Sequence, residues 1–309
     1  MVRINPLAEV PNVLCPVCAS VGLPAEGELN TTFMLRWCPN CDLQFSDPMQ
    51  EAGQEFYETH ELYCGPESLY TSPRLLNWDQ RSFLRDRPCP GGRLLDVGCG
   101  TGYFAEAARQ AGYRVTGLDR GRPQLDLARN RFGLTDLYAE TLAEYAGHAP
   151  AGSFDVLTAF QVLEHVADPV AFLTQARRLI APGGYVGLGV PNWRIWRIFR
   201  EPFDAPPNHL TRWSRTSLRT ALDRGGFDTL TVREYRSAYS FLLRHVRFGL
   251  LRRAMASPRG PSSGPRATVL TLAIAKVRIL RLLDLQARAI LNAVRAPGVC
   301  LYALARARE

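Results

Sequence analysis

Four cysteines near the amino end have the spacing of a metal site. Cys15-Pro16-Val17-Cys18 and Cys38-Pro39-Asn40-Cys41 form two CxxC turns separated by 19 residues. Each turn aims two thiolates at one point, and zinc takes four such soft ligands in a tetrahedron. With Cys15, Cys18, Cys38 and Cys41 all engaged, no position is left for an activated water, so the metal reads as structural. A redox pair or accidental free thiols compete with this reading, but redox CxxC motifs open a helix in a thioredoxin-type unit, a pattern missing around these turns. Cys64, Cys89, Cys99 and Cys300 are scattered and suggest no disulfide framework.

A second constellation is rich in glycine. Residues 93–104 read as a short buried strand running into a turn that holds Gly98, Cys99, Gly100 and Gly102, followed by a helix through Ala105 to Ala111 that stops at Gly112. Glycines there let a ligand approach the backbone closely, and the helix start offers free N–H groups. A spaced-glycine turn alone is weak, because dinucleotide-binding proteins carry a similar one. Here the pattern is GxGxG, and Asp96 precedes it inside the strand. A second strand, Tyr113 to Asp119, ends in an acid that suits the two hydroxyls of a ribose or caps the next helix.

Two histidines complete the candidate chemistry. His165 follows Glu164, just after a strand read over Ser153 to Phe160. His209 lies in Pro206-Pro207-Asn208-His209-Leu210-Thr211-Arg212-Trp213, between a fifth strand and the next helix. A neutral imidazole near pH 7 serves as a base for a hydroxyl or carbon acid; bracing of loops by hydrogen bonds is the structural alternative. Asn192, Trp193 and Trp196 follow strand five as a substrate wall or as packing groups.

Leu94 to Phe104 (LLDVGCGTGYF) with Val115 to Arg120 (VTGLDR) resembles the first two motifs of class I S-adenosylmethionine-dependent methyltransferases. Gln161-Val-Leu-Glu164-His165-Val-Ala-Asp168-Pro169 is similar to the segment after strand four in the subgroup of ubiquinone-biosynthesis-type enzymes, and Leu179 to Tyr185 to the turn before strand five. The motifs run in order over residues 91–236. The resemblance implies an α/β, Rossmann-like doubly wound sheet of seven strands, the last antiparallel and read over Val299 to Ala305. It also implies roles: Gly98, Gly100 and Gly102, with Cys99 in the same turn, line the methionine moiety, with Asp96 near it, and Asp119 holds the ribose. Glu140, Thr141 and Leu142 border the adenine, where Arg120 also packs, and Phe160 and Gln161 close the pocket.

The chain has 309 residues, 46% of them hydrophobic and 21% charged, the composition of a globular protein. Three parts are expected: a zinc ribbon over 1–50, a helical lid or linker over 51–90 carrying Phe56, Tyr57, Tyr63, Tyr70 and Trp78, and the methyltransferase domain over 91–309. The net charge of +8 is uneven. Residues 238–309 hold 13 basic and 2 acidic side chains, against 24 and 27 in the rest. Residues 238–295 read as a basic helical insertion before the last strand, with an amphipathic pattern from about Thr268 to Arg295. Three readings of it compete: docking on the domain or on a second copy as a homodimer, contact with an anionic membrane, and nucleic-acid binding, the last disfavoured for want of aromatic platforms. The N-terminal stretch lacks a signal-peptide layout and no apolar run reaches spanning length, which points to the cytoplasm, peripheral to the inner face of the membrane in the second reading. The function expected is methyl transfer to oxygen or carbon of a small-molecule acceptor such as a sugar, polyketide, quinone or lipid-linked saccharide. An RNA methyltransferase and a non-catalytic scaffold of the same fold are the rivals.

Overall fold

Strand β4 (Arg93–Val97) is the spine of the molecule, and its sequence says why: Leu94, Leu95, Asp96 and Val97 are all buried, as a central parallel strand covered on both faces requires. In the computed structural model, which describes residues 12–25, 32–59, 76–196, 205–236 and 298–309, β4 pairs in parallel with β5 (Arg114–Leu118) on one side and β7 (Phe154–Phe160) on the other. β6 (Leu137–Tyr138) extends the sheet beyond β5, and β8 (Ile180–Pro191) extends it beyond β7, both in parallel. The last strand, β11 (Cys300–Ala307), inserts between β8 and β10 (Phe227–Tyr235), giving the order β10-β11-β8-β7-β4-β5-β6. Arg308 N–H donates to Gly226 C=O, and Val299 N–H to Tyr235 C=O, the reciprocal offsets of an antiparallel pair. The seven-stranded doubly wound sheet with its antiparallel last strand is thus the one expected.

Local chemistry sets the helices between these strands. α3 (Tyr103–Gln110) begins after Gly102 and ends two residues before Gly112, whose φ of +96° breaks the helix. α4 (Arg122–Phe132) follows β5, with proline in its first turn and Gly133 closing it in the left-handed conformation. α5 (Leu142–His148) is capped by Thr141, whose hydroxyl accepts from Glu144 N–H while Glu144 answers Thr141 N–H at 2.7 Å. α6 (Pro169–Leu179) is capped by Asp168, which accepts from Ala171 N–H at 2.8 Å, and buries Phe172, Leu173, Ala176 and Leu179 against the sheet. α8 (Arg215–Arg224) starts at Ser214 in the same manner. Caps of this kind each contribute about 1 kcal/mol.

The segment expected as a turn before strand five is instead a bulge within β8. Phe154 faces Ile180 and Val156 faces Tyr185, so two steps on β7 match five on β8, and Gly183 takes up the excess at φ +73°.

The amino-terminal part forms its own small sheet. β1 (Leu23–Pro24), β2 (Met34–Trp37) and β3 (Gln44–Asp47) are antiparallel, and β9 (Thr211–Arg212) adds a fourth strand beside β3. Of the strand read over Glu28 to Trp37, the part before Thr32 lies outside the described residues. In the chain, α1 (Gln54–Thr59) and α2 (Trp78–Asp86) lie between β3 and β4. The chain divides into two units, Met1–Arg233 with Leu301–Glu309, and Glu234–Cys300. In the second, the described residues include Glu234, whose carboxylate accepts from Arg236 at 2.8 Å. The basic amphipathic stretch read over 238–295 lies outside the described residues, as do Cys64, Tyr63, Tyr70 and the side chain of Trp196. Among the described residues no helix is long and apolar enough to cross a membrane.

Candidate active site

At the carboxyl ends of β4, β5 and β7 the chain leaves a cavity of about 560 Å³, of the size small-molecule sites have and placed where open α/β sheets bind ligands. Its floor is the turn after β4. Gly98 and Gly100 sit at φ +72° and +53°, and a methyl group on Gly100 would meet nothing among the described residues within 4 Å. The backbone there lies bare to the cavity. Asp119, at the end of β5, also lines it and ties its two rims together: Oδ2 accepts from Gly100 N–H and Oδ1 from Gly121 N–H, each at 2.8 Å. Burial pushes its carboxyl above the usual range, and the two N–H groups oppose that shift. Each carboxylate oxygen retains a lone pair for a further donor.

The far wall is built on helix starts. Glu140, Thr141 and Leu142 line the cavity from the N-terminal end of α5, and Asp168, Ala171 and Phe172 from that of α6. Arg120 crosses above them. Its guanidinium stacks on the Tyr57 ring, 5.1 Å from the centroid, and pairs with Glu51 at 3.6 Å. Glu51 in turn accepts from Ala167 N–H at 2.9 Å, so α1 and the residues before it form one edge of the cavity. Burial holds the Tyr57 hydroxyl protonated, pushed up to about 12.

Gln161 and His165 stand at the carboxyl end of β7. Gln161 adopts φ +60°, a left-handed conformation that costs a non-glycine residue about 1 kcal/mol or more and recurs at functional sites. His165 lines the cavity, and its Nδ1 lies 2.5 Å from the Asn208 carbonyl oxygen. A carbonyl only accepts, so Nδ1 carries the hydrogen and Nε2 keeps its lone pair. Burial, then the neighbouring His209, lower the His165 pKa to about 3, which keeps the ring neutral. The His209 ring stands edge-on to it at 4.8 Å, behind the cavity wall. Glu164, His165 and His209 each bring one ligand atom within 4.8 Å of the others, a donor set of the kind a divalent cation accepts.

The expected cofactor-site residues therefore divide. Gly98, Gly100, Asp119, Arg120, Glu140, Thr141, Leu142 and Gln161 line one cavity with His165. Asp96, Cys99, Gly102, Phe160 and His209 stand behind its walls. Asp96 is buried and accepts from the Thr158 hydroxyl at 2.8 Å; burial and the nearby Asp119 raise its pKa to about 7. Cys99 packs under Gly117, and Gly102 lets α3 approach Ala128 of α4. Phe160 joins Phe83 and Phe104 in an aromatic cluster, its ring 4.8 Å from that of Phe104. Tyr57, read in the lid segment, and Val162, inside the motif after strand four, also line the cavity, as does Glu51, which no residue pattern marked.

The four ribbon cysteines converge as their spacing implies. All four sulfur atoms lie within 4.8 Å of one another, Cys15 and Cys41 at 3.5 Å and Cys18 and Cys38 at 3.4 Å. A tetrahedron of Zn–S bonds near 2.3 Å sets its sulfurs about 3.8 Å apart, so this donor set fits the ion. The crowding also polarises the thiols. A hydrogen bond from Cys41 draws Cys15 down to about 5 and raises Cys41, while burial pushes Cys38 up to about 11. The ribbon reaches the candidate site by backbone bonds. Ser46 N–H donates to Leu210 C=O at 2.8 Å, and Leu210 N–H donates to Glu164 C=O at 2.7 Å. Trp193 (the first residue of α7, Trp193–Trp196) gives its indole N–H to the Asp42 carbonyl at 3.0 Å, so it packs on the ribbon rather than lining the cavity.

A Rossmann-like sheet in this strand order, with a glycine turn and a strand-end acid around one cavity, defines a nucleoside-binding α/β protein of the methyltransferase class. The family described as "Methyltransferase domain" matches residues 72–232, and the chain belongs to that family. Two curated relatives are ubiquinone biosynthesis O-methyltransferases. That of Pseudomonas aeruginosa is 38% identical over 125 residues, covering 39% of this chain and 52% of its own. That of Ralstonia nicotianae is 35% identical over 139 residues, covering 44% and 53%. The chain thus spans about half the length of the curated relatives it matches. Two solved structures share the fold. A SAM-dependent methyltransferase from Archaeoglobus fulgidus has a TM-score of 0.51 at 16% identity, over 80% of this chain and 96% of that one. Phosphoethanolamine N-methyltransferase 2 of Haemonchus contortus, in complex with S-adenosyl-L-methionine, has a TM-score of 0.54 at 16% identity, over 83% and 60%.

Proposed function

We propose that this chain binds S-adenosylmethionine in the cavity and transfers its methyl group to a small molecule, with a hydroxyl on a ring of the quinone class as the preferred acceptor. The observation that carries the reading is the pairing of bare backbone at Gly100 with the half-buried Asp119 carboxylate in one cavity. The relatives' name, ubiquinone biosynthesis O-methyltransferase, supports the acceptor class.

In this reading Gly98 and Gly100 lie under the amino-acid end of the ligand, and Asp119 takes its ribose hydroxyls. Glu140, Thr141 and Leu142 border the base, with Arg120 across it, and Gln161 closes the cavity at the β7 end. Asp96, Cys99, Gly102 and Phe160 hold the turn and the strand ends from behind. When bound, S-adenosylmethionine supplies an electrophilic methyl on a sulfonium. His165 receives the acceptor hydroxyl at Nε2, the nitrogen that carries no hydrogen when Nδ1 donates to Asn208. So weak a base orients the O–H and takes the proton as the new O–C bond forms, when the oxygen becomes strongly acidic. His209 braces the His165 ring. Cys15, Cys18, Cys38 and Cys41 hold a structural zinc, since all four positions are protein thiols.

The test is transfer of labelled methyl to a panel of hydroxylated rings, sugars and RNA. Product confined to hydroxylated rings, with a loss of about 10²-fold or more in His165→Ala, is expected. Product on RNA alone contradicts the acceptor class, and wild-type rates in both His165→Ala and His209→Ala contradict the histidine's role.

A further inference from the structure

Asp79 lies outside every motif that marked the site, yet it is 1% exposed and stands against one of the residues lining the cavity. Helix α2 brings it there. Asp79 and Phe83, four residues apart, share one face of α2, and Gly187 and Gly189, two apart, share one face of β8. A methyl group on Gly187 would lie 2.8 Å from the Phe83 ring, and one on Gly189 would lie 2.1 Å from Asp79 Oδ2. Those two glycines thus permit the helix to lie directly on the strand. The docked carboxylate accepts from Gln161 Nε2 at 2.9 Å, while Gln161 N–H donates to Gly189 C=O at 2.8 Å. Gln161 is held at both backbone and side chain in its left-handed conformation, φ +60°.

The consequence is an orientation. A carboxylate facing the amide can only accept, so the NH₂ of Gln161, a residue that lines the cavity, is turned to Asp79 and its carbonyl oxygen is the acceptor of that side chain. We infer that Asp79 is a positioning residue that fixes the Gln161 amide so that it presents an acceptor to a cationic ligand at the β7 end of the cavity. The inference rests on the methyltransferase reading, whose cofactor carries positive charge on its sulfonium and its amino group. Asp79 touches neither ligand nor acceptor in this account; it acts through Gln161.

Titration calorimetry of the full chain with S-adenosylmethionine tests it, using wild type, Asp79→Ala, Gln161→Glu and the double variant Asp79→Asn with Gln161→Glu. Asp79→Ala is expected to bind about tenfold more weakly, the effect of one hydrogen bond to a charged group. Gln161→Glu sets two carboxylates against each other and is expected to lose as much. The double variant restores a donor opposite an acceptor, with the roles exchanged, and is expected to return to within about threefold of wild type. That rescue is a readout that simple damage to packing does not produce, and it decides the matter if Asp79→Ala fails to fold. Wild-type affinity in Asp79→Ala, or a double variant no better than Gln161→Glu, overturns the inference while leaving the methyltransferase reading intact. A wild-type chain that binds no S-adenosylmethionine overturns that reading itself.

Discussion

The carbonyl of Asp42, one residue past the second cysteine knuckle, accepts the indole N–H of Trp193 at 3.0 Å, and its carboxylate pairs with Arg194 at the same distance. Asp42 itself sits at φ +61°, a conformation the knuckle turn imposes. The ribbon therefore grips the residues that follow β8, and β3 grips Thr211 and Arg212 beside His209. Loss of the metal should be felt well beyond the ribbon.

Chelation of zinc, or Cys38→Ser, is expected to lower the melting temperature by 5 °C or more, because metal binding to such a site is folding free energy. The same treatment should speed amide exchange at Thr211 and Arg212 and change Trp193 fluorescence. Unchanged melting after complete metal removal would exclude a structural metal.

Gly100→Ala separates folding from binding. The added methyl meets no atom of the described residues within 4 Å, so the cost is that of the left-handed backbone, about 1 kcal/mol. Ligand affinity should nevertheless fall by a factor of about 10² or more, as the methyl occupies the space the ligand needs. Thermal melting and calorimetry on the same sample check both halves. Affinity equal to wild type would show that the ligand does not lie against this turn.

Asp96 makes stability depend on pH. Its folded pKa of about 7 lies above the unfolded value of about 3.9, so protonation favours the native state. That contribution is complete below about pH 4 and is lost as pH rises through 7. Asp96→Asn, which keeps an acceptor for Thr158, is expected to raise the melting temperature by several degrees at pH 8 and to change it little at pH 4. An equal shift at both pH values would contradict a burial-raised carboxyl.

The parts of this site legible in the residue string are those whose backbone demands a residue type. Gly98 and Gly100 need positive φ, Asp119 ends a strand, and two CxxC turns bring four sulfurs together at one point. What escaped is built by tertiary approach. Phe160 looked like a pocket residue because it ends β7, but alternation turns it into the aromatic cluster while Gln161 faces the cavity. Tyr57 and Glu51 reach the cavity through Arg120, a pairing across more than 60 positions that no local pattern encodes. Asp79 did leave a trace: glycines two apart in a strand, Gly187 and Gly189, mark a close approach by something. The bulge in β8 hid in a Pro-Gly-Gly run that reads equally well as a turn.

The central claim, that the glycine turn and Asp119 together hold a sulfonium nucleoside, is tested most directly by calorimetry with S-adenosylmethionine on wild type and Asp119→Ala. One site per chain is expected, with affinity about 10- to 100-fold weaker in Asp119→Ala, the effect of losing hydrogen bonds to a carboxylate. No heat of binding to the wild-type chain at millimolar S-adenosylmethionine, or equal affinity in the two proteins, would contradict it.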